Sequence, residues 1–223
     1  MIYLCQFEHN SNQSDRNIWK KKGVEMDHYI RNSSTAILVL HEIYGINSFI
    51  KDICAQYHKE GFDVYSPNLY SNERCFSYEN AEEAYRYFID EVGFDITKDM
   101  IHFIKKLKQT YKTVIVIGFS IGATIAWRCS ALVECDAVIC CYGSRIRDYL
   151  DVMPKCPTYT IFAEEDSFDV DKVCEQLAGR DNVEILRLNA HHGFLDSYST
   201  YYCKEKADIF DSYRREVILN RIL

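Results

Sequence analysis

The β-branched run Val114-Ile115-Val116-Ile117 leads straight into Gly118-Phe119-Ser120-Ile121-Gly122, and Ala123 to Leu132 then reads as a helix. A continuous apolar strand of this kind must be covered on both faces, so strand, tight turn and helix in direct succession leave the chain few ways to fold. The glycines flanking Ser120 let the backbone turn sharply enough to hold the serine strained, with Oγ clear of the sheet and a helix N-terminus behind it. A serine nucleophile needs this arrangement.

The rest of the chain repeats the alternation. Thr35 to Leu40 is a second continuous apolar run, ending in His41-Glu42-Ile43-Tyr44-Gly45. Ile50 to Lys59 has helical periodicity, Gly61 stops it, and Phe62 to Tyr65 reads as a short strand closed by Ser66-Pro67-Asn68. Glu79 to Val92 and Ile96 to Lys108 read as helices, and Ala137 to Tyr142 and Thr158 to Ala163 as buried strands. Asp169 is placed to cap a helix over Val170 to Leu177, and Val183 to Leu188 reads as a late strand before a polar C-terminal helix. The segment before Thr35 reads as weakly paired strands and turns. Strands alternating with helices predict one α/β domain over residues 1–223, built on a mainly parallel twisted sheet with helices on both faces.

Composition narrows the function classes. The net charge of −7 is spread along the chain without a basic block that could follow a phosphate backbone, which argues against nucleic-acid binding. No apolar run reaches the ~20 residues that span a bilayer, and Met1 to Asn10 lacks a basic region followed by an apolar core. The expectation is a soluble, cytoplasmic protein. The ten cysteines lie mostly inside apolar segments, as at Cys54, Cys129, Cys140 and Cys141, and read as reduced, buried thiols. No Cys-x-x-Cys occurs and adjacent Cys140 and Cys141 point to opposite faces of a strand, so no metal site is expected.

In a sheet of this type reactive groups collect beyond the carboxyl ends of the strands. Ser120 must lose a proton as it attacks, and His192, just past the late strand, is the candidate base. The imidazole needs an acceptor to fix its tautomer, and Asp166, in Glu164-Glu165-Asp166, is the candidate. His191 and Glu165 stand as alternatives. The order Ser120, Asp166, His192 is the one expected for an α/β-hydrolase fold. A tetrahedral oxyanion needs two donors, which that fold takes from the amides of Ile121 and Ile43.

Three stretches, His41-Glu42-Ile43-Tyr44-Gly45-Ile46-Asn47, Gly61 to Tyr70 and Tyr142-Gly143, together resemble the dienelactone hydrolase family from about Ala36 to Phe194. Ser120, Asp166 and His192 match that family's nucleophile, aspartate and histidine motifs. The resemblance implies that Glu42 lies beside the nucleophile and that Tyr85 lines the substrate pocket. With serine in place of cysteine, Glu42 has no thiol to activate and is left to position Ser120 or the substrate, or to order its loop. The two arginines that bind a substrate carboxylate in the family are replaced by Ala81 and Asp196. A dienelactone substrate is therefore disfavoured, with Arg74, Arg145 and Arg147 as candidates to compensate.

The reading that emerges is a hydrolase of small carboxylic esters, lactones or thioesters, working as a monomer or homodimer without cofactor. The alternatives are a non-catalytic small-molecule binder on the same scaffold and a peptidase or acyl-transferase using the same residues. The Asn72 to Glu82 stretch has room only for a small lid.

Overall fold

The computed structural model describes residues 26–70, 74–132 and 135–223. The segment expected to form weakly paired strands and turns falls mostly on residues 1–25, outside the described residues. Its described end is β1, Met26–Tyr29. Six strands follow: β2 Thr35–Leu40, β3 Asp63–Pro67, β4 Thr113–Phe119, β5 Ala137–Cys141, β6 Thr158–Glu165 and β7 Val183–His191. They form a sheet in the order β1-β3-β2-β4-β5-β6-β7. Every pairing is parallel except β1 with β3, which is antiparallel at one edge. The serine-bearing strand β4 thus sits at the centre, between β2 and β5.

The period of two along each strand sorts side chains between two cores. Ala36, Leu38, Leu40, Val114, Val116, Val138 and Cys140 face one, together with Phe88, Phe103, Ile104, Trp127 and Leu177. Those partners belong to helices α2 (Ala81–Tyr87, continued by a π-helical turn to Val92), α3 (Thr97–Thr110), α4 (Ile121–Leu132) and α5 (Val170–Leu177). Ile37, Val39, Ile115, Ile117, Ile139 and Cys141 face the other. That layer is closed by Phe49, Ile50 and Tyr57 of α1 (Ser48–Lys59) and by Phe210 of α6 (Lys204–Glu216). Cys140 and Cys141 lie on opposite faces, as their adjacency in a strand requires. This is the doubly covered sheet of an α/β-hydrolase fold.

Local chemistry fixes several element ends. Asn47 Oδ1 accepts the Ile50 amide at 3.1 Å at the start of α1, and Asp169 Oδ1 accepts the Lys172 amide at 3.0 Å at the start of α5. The expected helix over Glu79 to Val92 is less regular than its pattern. A 3-10 turn at Tyr78–Asn80 leads into α2, and the last turn widens until the Gly93 amide bonds Phe88 O at 2.6 Å.

Candidate active site

Ser120 lies between β4 and α4 with φ +53°, a left-handed conformation that a serine adopts only under strain. Its amide donates to Cys141 O at 3.0 Å, which ties the turn to the end of β5. The neighbouring glycines are there because of contact as much as conformation. A Cβ on Gly118 would lie 2.1 Å from Gly122 O, and one on Gly122 would lie 2.3 Å from Leu40 O. The turn is therefore pressed against its own helix and against the end of β2, and Oγ is left facing the open edge.

The histidine and the acid arrive by strand register. β6 and β7 pair in parallel with an irregularity between Ala163 and Glu165, after which Glu165 is opposite His191 and the His192 amide donates to Glu165 O at 3.2 Å. Asp166 and His192 consequently leave the sheet side by side. His192 Nε2 lies 3.0 Å from Ser120 Oγ, and His192 Nδ1 lies 2.7 Å from Asp166 Oδ2. The Asp166 side chain is only 3% exposed, and its Oδ1 accepts the Ser167 amide at 2.6 Å. The other histidine and acid pair with each other instead: His191 Nε2 is 3.2 Å from Glu165 Oε2, both half exposed. Burial works against a charged His192, but the hydrogen bond and negative charge of Asp166, with Glu42 adding, hold its pKa above the usual imidazole value.

The loop after β2 is held from beneath by His41. This fully buried imidazole bonds Glu42 O through Nδ1 at 2.5 Å and accepts the Leu69 amide on Nε2 at 2.9 Å. Burial lowers its pKa to about 4, consistent with a neutral ring accepting on Nε2. Tyr70 Oη donates to Ile43 O at 2.6 Å. The loop thus brings Ile43 to the cleft beside Ile121, whose amide, as the first of α4, is among those without an intrahelical acceptor.

Glu42 is buried at 4% exposure next to His192 and Tyr142, and desolvation raises its pKa from 4.5 to about 7. Its Oε1 and the Tyr142 hydroxyl make no well-aligned hydrogen bond among the described residues, but they face each other closely enough for Tyr142 to favour the ionised Glu42. A cleft of about 560 Å³ opens over Ser120 and His192, walled by Tyr85, Arg145 and Arg147. That volume falls within the ~300–1,000 Å³ of small-molecule sites. Tyr85 Oη accepts from Arg145, so the tyrosine and one of the candidate compensating arginines share a wall. Arg74 is elsewhere, stacked on Tyr87 at 4.5 Å and Phe76 at 5.4 Å.

Of the stretch expected to form a lid, Asn72 and Glu73 lie outside the described residues, and the Phe76 amide donates to Tyr44 O at 3.0 Å. Sequence reasoning gave no role to Tyr44, Tyr78 or Tyr201 and took Asp196 only as a missing arginine, yet all four line the space beside Ser120. The single available signal was the tyrosine content of these loops. Among the described residues no group of three or more His, Cys, Asp or Glu is placed to hold a metal ion.

The sequence model of the dienelactone hydrolase family matches residues 26–216. The chain belongs to the dienelactone hydrolase family. It is thereby a hydrolase of that family, on an α/β-hydrolase fold. Bacillus subtilis (strain 168) protein YczH is 36% identical over 169 residues, which covers 74% of this dienelactone hydrolase-family chain and 83% of YczH. Among solved structures, a Klebsiella pneumoniae subsp. pneumoniae MGH 78578 protein superposes with a TM-score of 0.70 at 19% identity, covering 86% and 90% of the two chains. XC6422 from Xanthomonas campestris, described as an α/β serine hydrolase without lid, superposes at 0.60 with 17% identity and 87% of each chain covered. At these identities the structural likenesses establish the fold of this family member and nothing finer. No described helix is long and apolar enough to cross a membrane.

Proposed function

We propose that this protein hydrolyses small carboxylic esters, lactones or thioesters through an acyl-Ser120 intermediate. One observation carries the proposal: the continuous chain of contacts from Ser120 Oγ to His192 Nε2 at 3.0 Å and from His192 Nδ1 to Asp166 Oδ2 at 2.7 Å. His192 takes the Oγ proton as Oγ bonds the carbonyl carbon, and the amides of Ile43 and Ile121 receive the oxyanion. On collapse the carbon–oxygen or carbon–sulfur bond breaks and His192 returns its proton to the leaving alcohol or thiol. Water then gives a proton to His192 as it attacks the acyl carbon, the bond from that carbon to Ser120 Oγ breaks, and His192 passes the proton to Oγ, which releases the acid with Ser120 restored. Asp166 holds the imidazole in its tautomer and stabilises its positive charge throughout.

Tyr85, Arg145 and Arg147 form the wall against which the substrate lies, and family membership supports a small-molecule substrate. Ser120→Ala is expected to lower turnover of activated short-chain esters by at least about three orders of magnitude. A fluorophosphonate probe should give one adduct, on Ser120, that the variant lacks. Full turnover by Ser120→Ala, or no adduct on the native protein, would sink the reading and leave a binder on a hydrolase scaffold.

A further inference from the structure

Past Ser120 and His192 the cleft continues into a smaller pocket of about 140 Å³, lined by Glu42, Tyr44, Tyr78, Asp196, Ser199 and Tyr201. Two carboxyl groups share this pocket, and none of the described residues lining it is a lysine or arginine. Glu42 is 4% exposed and Asp196 1% exposed. Glu42 Oε1 is buried and makes no well-aligned hydrogen bond among the described residues, with Tyr142 as its neighbouring donor, so the carboxyl that lines the pocket is incompletely satisfied. Asp196 Oδ2 accepts from Tyr78 Oη at 2.5 Å, its Oδ1 accepts the Tyr198 amide at 2.8 Å and the Ser199 amide also stabilises the carboxylate, which fixes it while leaving acceptor capacity for a further donor. The Tyr44 and Tyr78 rings stand 4.7 Å apart and tilted on the same wall.

We propose that this pocket binds a primary ammonium group carried by the substrate, beside the carbonyl that Ser120 attacks. The substrate role rests on the acyl-serine reading; the ammonium site itself does not. An ammonium brings three donors to the remaining acceptor sites of Glu42 and Asp196, and its positive charge favours the ionised form of both carboxyl groups. The tyrosine rings add attraction for a cation. A neutral alkyl group would bring no donor to either acid, and an anion would meet two acids. At ~30 Å³ per water-sized group, the pocket has room for the ammonium and a few methylenes. Burial raises the pKa of both acids; for Glu42 the neighbouring His192 offsets part of that and Asp196 adds to it, so a bound cation would favour the ionised form of both.

Two ester pairs that differ only in NH₃⁺ for CH₃ test the proposal: 4-aminobutyl acetate against pentyl acetate, and methyl 6-aminohexanoate against methyl heptanoate. They place the charge on the alcohol and acyl sides respectively. In one pair the ammonium ester should have the higher kcat/KM by about tenfold, mostly through KM. Asp196→Asn and Glu42→Gln should each bring that ratio toward one. Propylammonium titrated calorimetrically into full-length Ser120→Ala reads the site without turnover, and Asp196→Asn in that background should weaken it. Absence of propylammonium binding overturns the ammonium site, and preference for the neutral ester in both pairs overturns its substrate role. Propylammonium binding with no hydrolysis of any of the four esters would instead overturn the acyl-serine reading and leave the ammonium site standing.

Discussion

Glu42 is a buried acid that lines the same pocket as Ser120. Its carboxyl binds a proton more tightly folded than unfolded, with a pKa raised from 4.5 to about 7 by burial. The protonated form therefore supports the fold fully below about pH 4.5, and that support is lost as the pH rises through about 7. Glu42→Gln removes the titration. The variant should gain up to roughly 3 kcal/mol on the native protein between pH 4.5 and pH 8, read from urea midpoints at the two values. An equal difference at both pH values would contradict the assignment. His192 titrates the other way in function, since only the neutral ring can take the serine proton. Its pKa is raised, so the acid limb of kcat/KM for a neutral ester should lie above the ~6.5 of a free imidazole. Asp166 and Glu42 are the charges that raise it, and Glu42→Gln should move the limb down. A limb at or below the free-imidazole value would count against His192 as the base.

At the scale of elements, the cap at Asp169 and the elbow around Ser120 were legible because each depends on a few consecutive residues. The choice between His191 and His192, and between Glu165 and Asp166, was not. It is made by the irregular β6–β7 pairing, because a shift of one residue along a strand sends every side chain to the other face. The packing of α6 on α1 was equally hidden. Arg214, 2% exposed, holds Glu60 through two bonds of 2.8 Å, contacts Asp211, and lies 4.6 Å over the Tyr57 ring. Truncating one partner of a buried ion pair leaves the others uncompensated, at about 3–5 kcal/mol. Arg214→Ala should accordingly lower the thermal midpoint by roughly 10 °C. A shift of only a degree or two would show that the network contributes little.

Across the whole molecule, the central sheet puts most thiols out of reach. No disulfide links the nine described cysteines, and seven of them are buried. Burial pushes the Cys54 and Cys129 thiols up to about 12, so they stay protonated and unreactive in the folded protein. A maleimide should label Cys75 and Cys203 in the native state and reach the buried seven only after denaturation, with the sites identified by mass spectrometry. Rapid native labelling of Cys140 or Cys141 would contradict the doubly covered sheet. The same architecture divides the cleft by charge, with Arg145 and Arg147 on one wall and Glu42 and Asp196 beyond the serine.

Read alone, the chain determined its α/β alternation, the strained serine turn and the chain order of Ser120, Asp166 and His192, because local periodicity and a few glycines encode these. Only the tertiary structure decided which histidine meets Ser120 and which acid meets that histidine, that Arg145 rather than Arg74 reaches the cleft, and that Glu42 and Asp196 share a pocket. Those contacts join segments far apart in sequence. Strand register and helix packing set them, and neither is written in any short stretch of residues.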